Sequence, residues 1–185
     1  MTTKINTKTT TALRFFLPVF LIGIAWVQEI VDQIFFNGNW NLLMGGGYPW
    51  WGLFTAPFSH SGFTHLIPNT LLFLPLSWLV LTKGLRDYIS VWACVLFIGF
   101  FEMLIWSTPS HGISGVIFGL LGYLLIIGFL EKRFLAIILS FLCFWLYGHY
   151  LPSLLPWNVQ QGVSWIGHFG GSIGGLLGAL MIFRE

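Results

Sequence analysis

The amino-acid sequence predicts an all-α, polytopic membrane protein with six transmembrane helices and a membrane-embedded first loop. Three observations support this fold class. The 185 residues are 56% hydrophobic and only 8% charged, whereas soluble domains carry about 25% charged residues. Six apolar segments approach the length of about 20 residues that a helix needs to cross a bilayer. All lysines and arginines fall on one side of a six-span topology.

The six predicted spans account for most of the chain. They cover about residues 13–33, 65–82, 87–106, 114–130, 133–150 and 164–183. We expect residues 1–185 to form a single membrane domain. The net charge of +2 comes from scattered basic residues, and this pattern gives no indication of nucleic-acid binding.

The basic residues predict the orientation of the spans. They precede span 1, separate spans 2 and 3, separate spans 4 and 5, and follow span 6: Lys4, Lys8, Arg14, Lys83, Arg86, Lys132, Arg133 and Arg184. The other three loops contain none. Because basic loops stay in the cytoplasm, we expect both termini there. A bacterial cytoplasmic membrane, or an organelle of bacterial descent, is the expected location.

Loop 1, at about residues 34–63, is the longest predicted connection and is rich in aromatic residues. Those residues are Phe35, Phe36, Trp40, Tyr48, Trp50, Trp51, Phe54, Phe58 and Phe63. Large rings favour the water–lipid interface, so we expect this loop to lie partly within the membrane. An aromatic belt without any further role explains the same composition.

A few polar residues lie inside the apolar spans, where such residues are costly and mark functional sites. His65 and Asn69 open span 2, Ser114 opens span 4, and His168 lies near the start of span 6. All four lie a few residues from the outer end of their spans. Their matched depth predicts one site built from three helices.

Ser114 has the surroundings expected of a nucleophile. It begins a short span, so the first backbone N–H groups of its helix should lie below the membrane surface. Those groups lack intrahelical partners and favour negative charge, as an oxyanion site requires. Glycine-rich faces on spans 4 and 6 permit close packing, which would bring His168 within reach of Ser114 as its base.

The remaining ionisable residues have simpler interpretations. We expect Glu29 and Asp32, at the outer end of span 1, to lie at the membrane interface, together with Glu102 of span 3. The histidines lack the spacing of metal ligands, and no His-Glu-x-x-His motif occurs. Neither a metal nor another cofactor is therefore expected.

These motifs together resemble the rhomboid family, and the resemblance covers nearly the whole chain. The family's Gly-x-Ser-Gly motif, its last-helix histidine with following glycines, its second-helix His-x-x-x-Asn and a further loop histidine are matched by Gly112, Ser114, Gly115, His168, Gly171, Gly175, His65, Asn69 and His60. The resemblance implies a six-helix rhomboid-like bundle with an embedded first loop.

The resemblance also implies an activity, that of an intramembrane serine endopeptidase. Ser114 and His168 would form a dyad without a third acid. The Ser114 N–H, the His65 ring and the Asn69 amide would hold the oxyanion. The implied partners are the lipid bilayer and single-pass transmembrane protein substrates, cut near the outer membrane face.

Three positions depart from the family pattern. Gly52 follows Trp51 where an arginine is usual, Phe118 replaces a tyrosine that stacks on the histidine, and His111 replaces a glycine. Phe118 can still stack on His168. His60 either holds water at the site or stabilises the loop by a hydrogen bond, and the sequence leaves both open.

Two alternative functions also remain open. One is a rhomboid-like pseudoprotease that binds membrane helices without cutting them, although such relatives usually lack the serine or the histidine. The other is a processing peptidase of the same family, dedicated to one C-terminal sorting tail.

Overall fold

The computed structural model describes residues 7–158 and 163–183, with side chains from Arg14 onward. The α-helices are α1 (Thr7–Phe35), α2 (Gly52–Thr55), α3 (Phe63–Lys83), α4 (Leu85–Ile105), α5 (Ser114–Glu131), α6 (Phe134–Tyr147) and α7 (Trp165–Phe183). Two 3-10 segments, Ala56–Phe58 and Gly148–Leu154, extend α2 and α6. Within the described residues, β-structure is limited to an isolated antiparallel bridge between Met44 and Ser110.

Six of these helices are long and apolar enough to cross a membrane. They are Arg14–Phe35 within α1, Phe63–Lys83, Leu85–Ile105, Ser114–Glu131, Phe134–Leu154 and Trp165–Phe183. The predicted fold class is therefore confirmed, and the span boundaries agree within a few residues. The largest difference is in span 5, which continues beyond α6 as a 3-10 segment.

Several described basic residues lie at or beside helix ends: Lys83 ends α3, Arg86 lies in the first turn of α4, and Lys132 and Arg133 join α5 to α6. Lys83 Nζ lies 2.6 Å from Glu131 Oε2, which joins the end of α3 to the end of α5. This ion pair places two of the basic connections at the same end, as the six-span topology requires. Lys4, Arg184 and the Lys8 side chain fall outside the described part, and orientation in the membrane stays a prediction.

Helix α5 is the central element. About 61% of its span is buried inside the protein, against 17% for the span that contains α6. Its sequence is apolar on every side, a pattern typical of a fully surrounded helix. Helices α3, α4, α6 and α7 all pack against it, so the residue at its N-terminus, Ser114, is held by most of the bundle.

Glycines let the backbones of α5 and α7 touch. A Cβ atom at Gly171 would overlap the carbonyl oxygen of Gly115, and one at Gly175 would overlap that of Gly119. One at Gly122 would lie 2.7 Å from the Ser172 oxygen. In lipid, where no hydrophobic force drives helices together, such close van der Waals contact is what stabilises their association.

Loop 1 turns its aromatic residues outward and is held from within by polar side chains. Tyr48, Trp50, Trp51 and Phe54 are each about half exposed or more. Large exposed rings at the end of an apolar bundle favour contact with lipid headgroups. This exposure fits the embedded loop that the sequence predicts.

The polar contacts inside loop 1 come from the last turns of α1. Gln28 Nε2 donates to the Trp40 carbonyl at 2.8 Å, and the Trp40 N–H donates to Asp32 Oδ1 at 2.7 Å. Glu29 accepts a hydrogen bond from Gln33 at 2.8 Å. Both carboxylates have no exposed surface, so they face the protein interior, and their depth at the membrane interface stays a prediction. They serve as internal acceptors because the loop folds over them.

Gly52 has a structural reason for its departure from the family pattern. Its backbone packs directly on Leu43, and a Cβ atom there would overlap the Leu43 carbonyl oxygen. An arginine does not fit at this position without moving the loop. The α1 contacts to Trp40 supply the loop stabilisation instead.

The contact between α5 and α7 yields a stability prediction. We expect Gly175→Ala to lower the free energy of unfolding by about 1–3 kcal/mol, because the added methyl group forces two packed backbones apart. Tryptophan fluorescence during denaturation by sodium dodecyl sulfate in mixed micelles measures this change.

Gly23→Ala is the matched control for this prediction. No atom lies within 4 Å of a Cβ placed at Gly23, so alanine there should be neutral or stabilising by about 0.5–1 kcal/mol, since it is the better helix former. Equal unfolding midpoints for the two variants would show that the α5–α7 backbone contact is not tight.

Candidate active site

Ser114 and His168 meet at the junction of α5 and α7. His168 Nε2 lies 3.1 Å from Ser114 Oγ, although the residues are 54 positions apart in the chain. Ser114 is the first residue of α5, and His168 lies in the first turn of α7. His168 is buried, with 6% of its surface exposed. The geometry is that of a nucleophile hydrogen-bonded to a general base.

The second nitrogen of His168 faces acceptors. Nδ1 lies 3.3 Å from the Ser153 carbonyl oxygen and 3.2 Å from Ser153 Oγ. The Ser153 hydroxyl itself donates to the Tyr150 carbonyl at 2.7 Å, so its oxygen is left to accept. A proton on Nδ1 satisfies these contacts, and Nε2 is then free to accept the proton of Ser114.

The contact with Ser153 was missed by sequence reasoning. The decisive atom is a backbone carbonyl, which every residue carries, so no residue type marks it. Ser153 belongs to the 3-10 segment Gly148–Leu154, at the end of the fifth span. The structure therefore supplies the orienting partner for His168 that the sequence lacked.

Phe118 packs against the face of the His168 imidazole ring. The two ring centroids are 4.3 Å apart with 27° between the planes, a stacked arrangement. Phe118 lies one turn below Ser114 on α5 and is 6% exposed. Stacking and the Nδ1 contact together fix the ring, as the sequence analysis expected of Phe118.

A large cavity of about 650 Å³ opens beside the dyad. Ser114, His168, Phe118, His65 and Asn69 are among the residues that line it. The Asn69 amide nitrogen is buried and has no hydrogen-bond partner among the described residues. Such a donor is costly to leave unpaired, which indicates that a group entering the cavity completes its hydrogen bonding.

The start of α5 places backbone N–H donors at and beside Ser114, which lines this cavity. Ile113 precedes the helix and provides no side-chain cap, so the first N–H groups of α5 lack the usual capping acceptor. Gly112 leads into this turn with φ +104°, a conformation that favours glycine. A Cβ there would lie 3.3 Å from His65 Cε1.

His60 supports the same turn from loop 1. It has no exposed surface, and the Ile113 N–H donates to its Nε2 at 3.5 Å. This is the contact that the loop-stabilising alternative requires. The ring of His65 lies 5.2 Å from that of His60, and the ring of His111 lies 6.3 Å from that of His65.

Burial keeps these loop histidines neutral. It lowers the pKa of His60 from 6.5 to about 3, with further lowering by the neighbouring His65 and His111. Burial also lowers the pKa of His111, and His65 adds to this effect. Two protonated rings at this spacing would repel each other, so the neighbours add to the effect of burial.

The pKa of His60 predicts acid sensitivity. In the unfolded chain His60 is protonated below pH 6.5, whereas in the folded protein it is protonated only below about pH 3. The contribution of neutral His60 to the free energy of unfolding is therefore complete above pH 6.5 and is lost as the pH falls toward 3. We expect His60 alone to lower the free energy of unfolding by about 2 kcal/mol between pH 7.5 and 5.0.

Detergent unfolding at the two pH values tests this, with His60→Gln as the variant. Glutamine can accept a hydrogen bond from the Ile113 N–H but does not titrate. The loss of unfolding free energy between pH 7.5 and 5.0 should therefore be about 2 kcal/mol smaller in this variant than in the parent chain. His149→Gln, at an exposed histidine, is the control and should behave as the parent chain does. An unchanged pH dependence in His60→Gln contradicts the prediction.

Comparisons with known proteins identify the family of this chain. The rhomboid domain family matches residues 48–185. An uncharacterized protein of Mycobacterium leprae is 33% identical over 174 residues, which cover 87% of this chain and 68% of that protein. An uncharacterized protein of Mycobacterium tuberculosis is 30% identical over 175 residues, which cover 87% of this chain and 72% of that protein. Since the family match spans most of the chain and includes every residue of the dyad and its cavity named above, this chain belongs to the rhomboid family of multi-pass membrane proteins.

Proposed function

We propose that this protein is an intramembrane serine endopeptidase that cuts transmembrane proteins near the outer membrane face through a Ser114–His168 dyad. Rhomboid membrane proteins act on transmembrane substrates within the bilayer. The observation that carries the proposal is the 3.1 Å contact between Ser114 Oγ and His168 Nε2. With both termini in the cytoplasm, as the basic residues predict, the dyad opens to the outside.

His168 moves the proton in both halves of the reaction. Nε2 takes the Ser114 proton as Oγ attacks the scissile carbonyl carbon, and it then donates that proton to the leaving amine. Water enters and repeats the sequence on the acyl-enzyme, restoring Ser114. The Ser153 carbonyl supports this cycle because it accepts from Nδ1–H whether the ring is neutral or charged.

The oxyanion of the tetrahedral intermediate needs donors on the other side of Ser114. The Ser114 N–H at the start of α5, the Asn69 amide and the His65 ring are the candidates. Support comes from Asn69 Nδ2, which has no hydrogen-bond partner in the described part of the chain, and from the shared cavity that Asn69, His65 and Ser114 line. Donors held in place before the reaction stabilise developing charge without reorganisation.

A substrate helix must unwind to reach Ser114, and its backbone groups then need partners. Loop 3, at about residues 106–113, offers an edge for strand addition. Ser110 already exchanges both backbone hydrogen bonds with Met44 at 3.0 Å. In antiparallel pairing the backbone N–H and C=O groups of the next residue point to the opposite side of the strand. The backbone groups of His111 can therefore pair with the substrate.

The pseudoprotease alternative is disfavoured by the intact dyad. A protein that only binds helices has no need for a serine and a histidine in hydrogen-bond contact, or for an acceptor on Nδ1. The dedicated sorting-tail peptidase uses the same dyad and differs in substrate range. Cleavage of unrelated model transmembrane substrates would argue against that narrower role.

The first activity prediction concerns the dyad. We expect Ser114→Ala and His168→Ala each to abolish cleavage of a tagged transmembrane substrate in proteoliposomes, because the nucleophile or its base is removed. Ser114→Ala should also prevent labelling by a fluorophosphonate probe. Ser90→Ala, which removes a hydroxyl bonded to Gly178 in α7, is the control and should stay active. Full activity in purified Ser114→Ala would refute the proposal.

The second activity prediction concerns the oxyanion donor. We expect Asn69→Ala to lower kcat by about 10²–10³-fold with a smaller change in KM, the typical effect of removing one such donor. Asn158→Ala is the control, since Asn158 lines the same cavity but is exposed. A KM effect with unchanged kcat would assign Asn69 to substrate binding instead.

A further inference from the structure

The last turns of α1 and the start of loop 1 contain a cluster of buried oxygen atoms that the proposed reaction does not use. Four side chains each have one buried oxygen without a hydrogen-bond partner among the described residues, and these atoms form the oxygen cluster: Gln28 Oε1, Glu29 Oε2, Asp32 Oδ2 and Asn41 Oδ1. Gln28 is 7% exposed, and Glu29 and Asp32 have no exposed surface. All four atoms are acceptors, so no member of the cluster can satisfy another.

The backbone of Trp40 joins the two sides of the oxygen cluster. Its carbonyl accepts from Gln28 Nε2 at 2.8 Å, and its N–H donates to Asp32 Oδ1 at 2.7 Å. Gln28 and Asp32 are four positions apart on α1 and Glu29 is three positions before Asp32, so the three side chains are neighbours on the helix surface. Asn41 follows Trp40 directly in the chain. The cluster therefore lies between one turn of α1 and one short stretch of loop 1.

The described lysines and arginines lie at the other end of the bundle. Phe15 packs near Trp78, with ring centroids 6.0 Å apart, which places the start of α1 beside the end of α3. The ion pair between Lys83 and Glu131 places the end of α5 there too. The described basic residues lie at or beside these helix ends: Arg14, Lys83, Arg86, Lys132 and Arg133. None of these side chains can neutralise the two carboxylates of the oxygen cluster.

His65 is close enough to Glu29 to interact with it electrostatically, but it does not satisfy the carboxylate. The Nδ1 atom of His65 lies 3.4 Å from Ser61 Oγ, whereas Glu29 Oε2 has no hydrogen-bond partner in the described part of the chain. Burial of a carboxylate without a paired cation is strongly unfavourable. Two such carboxylates with two amide oxygens beside them favour the binding of a positive ion.

The chemistry of the oxygen cluster matches calcium. Ca²⁺ takes about six to eight oxygen ligands from carboxylates, side-chain amides, backbone carbonyls and water. Mg²⁺ usually keeps several of its waters and is seldom enclosed by protein groups, and zinc prefers nitrogen and sulfur ligands. The described residues contain no group of three or more His, Cys, Asp or Glu side chains that could hold a metal ion. The sequence analysis expected no metal from the spacing of the histidines, and that spacing gives no information about a site made of carboxylates and amides.

We propose that the oxygen cluster binds one Ca²⁺ ion between α1 and loop 1. Its four side chains supply one oxygen each, and backbone carbonyls or water complete the coordination. The ion neutralises both carboxylates and links α1 to the loop that supports the entry to α5. Gln33 is exposed and donates to Glu29 Oε1 at 2.8 Å, so a rotation of this side chain opens a path from the surface. The proposal does not depend on the protease function.

Terbium luminescence tests the binding directly. Tb³⁺ occupies calcium sites and emits when a nearby tryptophan is excited, and Trp40 is bonded to two members of the cluster. We expect the full chain in dodecyl maltoside micelles to give a saturable Tb³⁺ emission that Ca²⁺ displaces. The Kd for Ca²⁺ should be about 10⁻⁴–10⁻³ M, the range of extracellular calcium modules, and Mg²⁺ should displace Tb³⁺ only at about ten-fold higher concentration.

Two variants and a matched control assign the site. Glu29→Gln and Asp32→Asn keep the shape of each side chain and remove its charge, so each should weaken Ca²⁺ binding by about ten-fold or more. Glu102→Gln is the control, because Glu102 Oε1 is also buried without a partner among the described residues, but its carboxyl lies against Gly170 of α7. This variant should bind Ca²⁺ as the parent chain does.

Thermal unfolding, followed by tryptophan fluorescence, gives a second measurement. Ca²⁺ should raise the unfolding midpoint of the parent chain and of Glu102→Gln, because an ion that binds only the folded state stabilises it. The midpoint of Asp32→Asn should not respond to Ca²⁺ in the same concentration range.

The proposal is overturned if the Tb³⁺ emission of the parent chain does not saturate, or if Ca²⁺ does not displace it. It is also overturned if Mg²⁺ displaces Tb³⁺ at a lower concentration than Ca²⁺ does, or if Glu29→Gln and Asp32→Asn both bind Ca²⁺ as tightly as the parent chain. The parent chain and Glu102→Gln decide whether Ca²⁺ binds even where a carboxylate variant fails to fold. None of these measurements uses proteolysis, so their outcome is separate from that of the protease function.

Discussion

The close approach of α5 and α7 is the constraint on which the rest of the structure depends. Gly171 and Gly175 of α7 meet the backbone of α5 with no room for a side chain. A separation larger by the width of one methyl group would take His168 Nε2 beyond hydrogen-bond reach of Ser114 Oγ, which is now 3.1 Å away. Since lipid supplies no hydrophobic force between helices, the small residues that permit packing also determine the site.

Loop 1 fixes Ser114 from the other side. The Gly112 N–H donates to the Ala56 carbonyl at 2.9 Å, and the Ile113 N–H donates to His60. These bonds hold the entry to α5 against a loop that α1 retains through Gln28 and Asp32. Ser114 is therefore positioned by α7 and by loop 1 together, and the turn that leads into it does not depend on a capping side chain.

Much of this arrangement could be predicted from the sequence, because membranes impose simple rules. Apolar length predicts the spans, and rare polar residues in those spans predict the convergence of Ser114, His168, His65 and Asn69. The rest depends on contacts that residue types do not encode. The Ser153 carbonyl belongs to the backbone, and the burial of Asp32 follows from how loop 1 folds. From the sequence alone, Gly52 indicates only the loss of the family's arginine, and the reason for glycine there is its backbone contact with Leu43.

The proposed base, His168, has a backbone carbonyl and not an acid as its partner, and this suits its location. A carboxylate beside His168 would have to be buried at membrane depth, and its desolvation would offset much of its attraction for the imidazolium. The Ser153 carbonyl selects the same tautomer and carries no net charge to desolvate. Phe118 adds orientation by stacking, which requires no polar group at all. The carbonyl stabilises the charged ring less than a carboxylate would, so the proposed mechanism relies more on the proposed oxyanion donors at the start of α5 and on α3, whose dipoles would already be in place to meet developing negative charge.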